Sequence, residues 1–200
     1  MSDEEILTYC KSADTEAVRV CVSVLARRHA PGVFNHIYRI VGDREIAEDL
    51  LQETFVRIYR KSREYRQIAR FSTWLFKIAT NLSLNEIRNR RHRPHLSLET
   101  PVEPGEEDAR NLVSLLRSGA SETPVRMVED RDFGRLLQEA IGQLPEQYRV
   151  VLILCDVEKF SYDEAAQVLD TRPGTVGSRL ARARQFLAGR ILPLLRRAGK

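Results

Sequence analysis

The chain has 200 residues, enough for one or two domains, and its 42% hydrophobic and 30% charged content excludes a disordered polyelectrolyte. No apolar run approaches the roughly 20 residues of a membrane span, and the acidic start MSDEEILTYC lacks the basic-then-apolar pattern of a secretory leader. Cys10, Cys21 and Cys155 have no close pairing or metal-ligand spacing, which suits a reducing compartment, so a cytoplasmic protein is expected.

The net charge of +4 conceals a segregated pattern. Residues 57–93 carry eleven Lys/Arg against Glu64 and Glu86, and residues 172–200 carry eight bases and no acid. Everything else is mildly acidic. Two separated basic stretches fit two contacts with one polyanion.

Residues 14–41 have helical periodicity and are expected as two pieces broken near Pro31-Gly32. Val18, Val22, Leu25 and Ala26 form one apolar stripe, and Val33, Phe34, Ile37 and Tyr38 the other. His29 and His36 straddle the break without acidic or thiol partners nearby in sequence, so no metal site is expected there. After a Gly42-Asp43 turn, Ala47, Leu50, Leu51, Thr54, Phe55 and Ile58 recur at core-facing spacing. Asp49, Gln52, Glu53, Val56 and Arg60 make a second, mostly polar stripe.

The next helix buries Leu75, Ile78, Ala79 and Leu82, with Ser72 as its expected N-cap and Phe71 and Phe76 as a hydrophobic staple. Trp74, Lys77, Asn81, Arg88 and Arg91 lie close to one line on its other face. Cations neutralise phosphates, an aromatic face stacks on unpaired bases, and an amide reads a base edge, so this face suits nucleic acid. A solvated basic helix whose Trp completes a core is the plainer reading. Residues 94–127, punctuated by Pro94, Pro101, Pro104, Gly105, Gly119 and Pro124 and rich in Glu, are expected as an interdomain linker.

Helical periodicity returns at 128. Phe133, Leu136, Leu137, Ala140, Ile141 and Leu144 define one helix ended by Pro145, and Val150, Val151, Ile153, Leu154 and Val157 a second. Ser161 and Glu164 form a capping box for a short helix burying Ala165, Val168 and Leu169. Asp170-Thr171-Arg172-Pro173 makes a turn, and the last helix buries Val176, Leu180, Ala183 and Leu187. It exposes Arg172, Thr175, Ser178, Arg179 and Arg182 near its start. This is the pattern of a helix-turn-helix, whose second helix enters the major groove N-terminus first. A helical hairpin with a basic face is the alternative.

Together the stretches AEDLLQETFVRIYR (47–60), FSTWLFKIATNLSLNEIRNRR (71–91), LPEQYRVVLILCDVEKFSYDEAA (144–166) and GTVGSRLARAR (174–184) closely resemble bacterial RNA polymerase sigma factors of the extracytoplasmic-function (ECF) type. The resemblance covers nearly the whole chain except the linker. It implies an all-α fold of two helical domains, 1–93 and 128–200, joined by a flexible acidic linker at 94–127. It implies a transcription initiation factor without catalytic residues, cofactor or metal. Asp49, Gln52, Glu53, Phe55 and Arg60 would contact the clamp helices of core polymerase. Lys61, Arg63, Arg66, Phe71, Trp74, Lys77, Asn81, Arg88 and Arg91 would bind and open the −10 element, the Ser62–Arg70 loop helping to hold an extruded base. Arg172, Thr175, Val176, Ser178, Arg179 and Arg182 would read the −35 element, the C-terminal domain packing on the polymerase flap. An anti-sigma factor is implied as a further partner, with no insertion into the membrane.

Two departures stand out. Phe71 and Trp74 are all that remain of the aromatic run that primary sigma factors carry at the melting helix. Gly177 stands where family members often carry a longer residue, leaving the base-by-base −35 assignment open. Two other classes compete. A stand-alone regulator would bind duplex DNA without polymerase, but residues 57–93 look unlike a ligand pocket. An enzyme acting on nucleic acid would need clustered metal-binding carboxylates. Asp43, Glu45, Glu48, Asp49 and Glu53 instead spread around a helix start, where acids complement the dipole.

Overall fold

The structure, a computed structural model, describes residues 1–65, 69–92, 134 and 136–198. Arg66, Phe133, the side chain of Arg91 and the expected linker 94–127 lie outside the described residues. Every described element is helical, and the chain divides into two compact units, the first built from Met1–Arg93 and the second from the C-terminal helices.

The first unit opens with α1 (Asp3–Cys10), which sequence periodicity did not single out. A capping box starts it: the Ser2 hydroxyl accepts from the Glu5 N–H at 3.2 Å, and the Glu5 carboxylate accepts from the Ser2 N–H at 2.7 Å. The signature was present in the sequence, but the segment's acidity was its only feature read. Ile6, Leu7 and Cys10 form the buried side of α1.

Helix α2 (Thr15–Val41) is capped by Asp14, which accepts from the Ala17 N–H at 2.8 Å. It runs unbroken through Pro31, contrary to the two pieces expected. An interior proline removes one hydrogen bond and costs about 3 kcal/mol. Here Leu25, Val33, Ile37 and Ile40, all fully buried on both sides of Pro31, gain more by staying on one straight stripe. Gly42 ends α2 at φ 74°, its N–H donating to Tyr38 at 2.8 Å. Asp43 then caps α3 (Arg44–Lys61) through the Ile46 N–H at 3.1 Å. A 3-10 turn (Ser62–Glu64) follows, then α4 (Phe71–His92). Helices α2, α3 and α4 pack against one another, burying Ala47, Thr54 and Ile58 of α3. Leu50, Leu51 and Phe55 are half-buried at the margin of that core.

In the second unit, 136–142 are helical (α5), with Leu137, Ala140, Ile141 and Leu144 buried. Leu136, expected in that stripe, is 36% exposed. Helix α6 (Glu146–Leu152) widens into a π-helical turn at Ile153–Val157, where the Glu158 N–H reaches the Ile153 carbonyl at 2.9 Å. Helix α7 (Tyr162–Val168) carries the expected capping box, Glu164 accepting from the Ser161 N–H at 2.9 Å and Ser161 from the Glu164 N–H at 3.2 Å. Helix α8 (Pro173–Ala198) packs on α6.

Two buried polar pairs lie inside these units. Asp156, 7% exposed, takes two hydrogen bonds from the Arg184 guanidinium, at 2.6 and 3.0 Å. The π turn widens the helix where Asp156 faces α8. His36 is fully buried in α2, with Nε2 2.9 Å from the Thr80 hydroxyl of α4 and its ring edge-on to Phe76.

Burial pulls the pKa of His36 down from 6.5 to about 3. The unfolded chain therefore takes up a proton below about pH 6.5 that the folded chain refuses. Stability is complete above that pH and declines towards pH 3, by at most about 1.4 kcal/mol per unit. Urea unfolding followed by the fluorescence of Trp74, the only tryptophan, should show a loss of about 2 kcal/mol between pH 7 and 5. His36→Gln should flatten that slope.

Candidate nucleic-acid interface

On α3 the polar stripe is exposed as expected: Asp49, Gln52, Val56 and Arg60 face solvent, while Glu53 is half-buried and pairs with Arg57 at 2.7 Å. The pair is a one-turn surface bridge, worth a few tenths of a kcal/mol, so Glu53 is readily released to another partner.

Helix α4 begins at Phe71, one residue before the expected cap, and Ser72 sits in its first turn. The free N–H of Phe71 instead donates to Glu4 Oε1 of α1 at 3.2 Å. Phe71 itself is fully buried, against the expectation that it faces DNA. Its ring meets His29 edge-on, with centroids 5.3 Å apart. It serves as a floor: Trp74 lies 6.1 Å from Phe71 and 5.1 Å from the buried Tyr65 ring, and remains half-exposed. The Tyr65 hydroxyl donates to the Ala69 carbonyl at 2.9 Å, two residues before α4. Tyr65 was not singled out from sequence, because nothing in its local pattern separates it from a loop tyrosine.

Around this aromatic platform Lys61, Arg63, Asn81 and Arg88 are exposed and Lys77 half-exposed. The core of α4 is wider than the expected stripe. Phe71, Thr73, Leu75, Phe76, Ala79, Thr80, Leu82 and Ser83 are buried, whereas Ile78 is half-buried. The helix is thus packed from two directions, and what remains outside is the aromatic and cationic face.

His29, unpartnered in the sequence reading, has its Nε2 2.6 Å from Asp3 Oδ2 of α1. Among the described residues no group of three His, Cys, Asp or Glu is placed to hold a metal. Nor is any described helix long and apolar enough to cross a membrane. The thiols of Cys10 and Cys21 come together between α1 and α2, a pairing that sequence spacing did not disclose. Burial, helped by Cys21, pushes the Cys10 thiol up to about 11. Burial also raises Cys155 to about 11. Both thiols are therefore protonated and poorly nucleophilic at neutral pH.

Ahead of α8, Asp170 (φ 48°) turns the chain, and the Thr171 N–H closes on the Ala166 carbonyl at 3.0 Å. Pro173 then opens α8, a position where its missing N–H costs nothing. Arg172, Ser178 and Arg182 are exposed and Thr175 and Arg179 half-exposed along the N-terminal half of α8. Val176, expected among the base-reading residues, is fully buried and belongs to the core with Leu180, Ala183 and Leu187. Four apolar positions at helical spacing fill the seam, and Val176 is one of them.

Sequence comparison agrees with this architecture. Residues 25–93 match the family model for sigma-70 region 2, and residues 134–187 that for sigma-70 region 4. The RNA polymerase sigma-H factor of Pseudomonas aeruginosa is 31% identical over 196 residues, covering 98% of this chain and 97% of that one. The chain belongs to the ECF RNA polymerase sigma factor family. The ECF sigma factor SigW of Bacillus subtilis is 30% identical, over 81% of this chain and 84% of its own length. SigE of Mycolicibacterium smegmatis is 37% identical over 82% of this chain, which spans 58% of that relative. Among solved structures, the sigma factor CnrH in complex with the cytosolic domain of CnrY has the same fold, with a TM-score of 0.63 at 19% identity. That match covers 94% of this chain and 95% of the other. The sigma factor RpoE of Bartonella quintana, in complex with the anti-sigma factor NepR, gives 0.62 at 20% identity, covering 84% and 95%.

Gly177 sits inside α8 of this ECF sigma factor without a positive φ. A Cβ built there would touch the exposed Tyr162 ring at 3.4 Å, an ordinary contact. Gly177→Ala should therefore raise stability by up to about 1 kcal/mol, read by calorimetry, since glycine wastes that much in a helix interior. Any residue with a longer side chain has to displace Tyr162.

Proposed function

We propose that this chain is an initiation factor, acting in the cytoplasm and not as an enzyme, that binds core RNA polymerase and directs it to promoters with two DNA-reading surfaces. The observation that carries the reading is the Trp74 platform: an aromatic ring, half-exposed on buried Phe71 and Tyr65, on a helix that also presents half-exposed Lys77 and exposed Asn81 and Arg88. Opening duplex DNA costs a few kcal/mol per unstacked base, and such a surface offsets it by stacking and phosphate contacts.

In this reading residues 1–93 form the polymerase-binding and −10-opening domain. Asp49, Gln52, Glu53 and Arg60 dock on the clamp helices, with the margin of Phe55 beneath them. Trp74, Lys77, Asn81, Arg88 and Arg91, with Lys61, Arg63 and Arg66 from the preceding segment, hold the separated strand. Phe71 acts from below, as support. Residues 128–200 form the −35 domain, with Arg172, Thr175, Ser178, Arg179 and Arg182 in the major groove and Val176 holding the helix in place. Residues 94–127 link the two. That RpoE and CnrH were solved in complex with NepR and CnrY supports an anti-sigma partner for this chain as well.

Mixing the chain with bacterial core polymerase and sequencing run-off transcripts from a pooled promoter library tests the whole reading. Stoichiometric binding with new, sequence-selected transcripts is expected. Tight binding of the chain alone to duplex DNA, without association with core, would replace it with a stand-alone regulator. Arg179→Ala should weaken −35 recognition by about 1–3 kcal/mol, the worth of a bidentate base contact, measured as promoter affinity of the holoenzyme. Trp74→Ala should leave core binding intact and remove about 1–3 kcal/mol of strand capture, seen as lost permanganate reactivity of unpaired thymines.

A further inference from the structure

Helix α1 precedes the residues that match sigma-70 region 2, which begin at 25, yet its Glu4 reaches the start of α4. Three sets of contacts fix α1 and the segment after it. Asp3 binds α1 to α2, its Oδ1 accepting from Arg28 at 2.9 Å while its Oδ2 lies 2.6 Å from His29. The next residue, Glu4, accepts the Phe71 N–H, the first free donor of α4. Beyond α1, the Ala13 carbonyl accepts from Arg63 at 3.3 Å, tying the chain to the 3-10 turn that leads into the −10 segment.

These contacts lie close to Tyr65 and Phe71, the two rings under Trp74. Tyr65 is buried and its hydroxyl closes on Ala69. Burial, with the charge of Glu4, raises the Tyr65 pKa above its ordinary value. The Glu4 carboxylate holds the first N–H of α4, where a negative charge also complements the helix dipole. Trp74 stands one turn further on, on the rings of Tyr65 and Phe71. His29, held by Asp3, packs on the underside of Phe71.

We propose that Glu4 is a positioning residue for promoter opening: through its hydrogen bond to the Phe71 N–H, α1 sets the first turn of α4 in the place from which Trp74 captures the −10 strand. The proposal rests on the −10-opening role assigned above to this segment. Glu4 touches neither DNA nor polymerase in this account. It acts through the backbone that presents Trp74, so its loss should impair opening without impairing assembly.

The test uses the full chain with core polymerase and compares wild type, Glu4→Ala and Glu4→Gln. Three quantities are measured: affinity for core, the rate of open-complex formation on duplex promoter, and retention of a promoter whose −10 stretch is already unpaired. Glu4→Ala is expected to bind core within about twofold of wild type while opening about tenfold more slowly, the worth of one hydrogen bond to a charged group. It should also release the pre-melted promoter faster. Glu4→Gln keeps an acceptor oxygen and should recover most of the opening rate. A Glu4→Ala variant that opens promoters normally overturns the proposal. So does one whose core affinity falls in step with its opening rate, which marks α1 as support for the whole unit. Glu4→Gln as defective as Glu4→Ala overturns the hydrogen bond as the cause. If the wild-type chain neither binds core nor opens promoters, the initiation-factor reading itself fails.

Discussion

Helix α4 has to satisfy two incompatible demands: enough burial to be held firmly, and enough exposure for the strand-binding role proposed for it. It meets both because its faces are divided. Leu75, Phe76, Ala79 and Leu82 are driven inward by the hydrophobic effect, and Lys and Arg side chains remain in water because desolvating them would cost several kcal/mol. Trp74 lies on the boundary. Its ring rests on Phe71 and Tyr65 and is half-exposed, so the same packing that stabilises the fold leaves an aromatic surface in a defined place.

The buried polar groups explain why the helices settle in one register. Apolar stripes tolerate small slips, but a buried His or Asp does not. His36 must find Thr80, and Asp156 must find Arg184, because each would otherwise be buried without compensation. Thr54 and Ser83 solve the same problem locally by donating to carbonyls one turn back, at 2.7 and 2.8 Å. One long-range pair in each unit therefore ties together segments that are 44 and 28 residues apart.

Much of the candidate site was legible in advance, and the exceptions have physical causes. Helical spacing correctly exposed Asp49, Gln52 and Arg60, and exposed Arg172, Ser178 and Arg182, because a helix surface is set by a period of 3.6 residues. The Ser161–Glu164 capping box was read, while the equivalent Ser2–Glu5 box was passed over as a mere acidic start. Pro31 signalled a break that did not occur, since a propensity of about 3 kcal/mol is outweighed by a long buried stripe. The family resemblance placed Phe71 and Val176 against DNA, but both lie in the core, as helical spacing alone had it for Val176: an apolar residue beside a candidate face serves it from beneath as readily as from above.

By itself the sequence determined the all-helical class, the segregation of cationic faces and the family, because periodicity, charge and motif order are properties of the chain as written. Only the tertiary structure decided that Glu4 rather than Ser72 receives the free N–H at the start of α4, and that Asp3 partners His29. It also brought Cys10 beside Cys21 and made Tyr65 and Phe71 the bed of Trp74. The contacts of Glu4 and Asp3 join residues distant along the chain. No local pattern encodes those, since which groups meet depends on how whole helices pack once their apolar faces are buried.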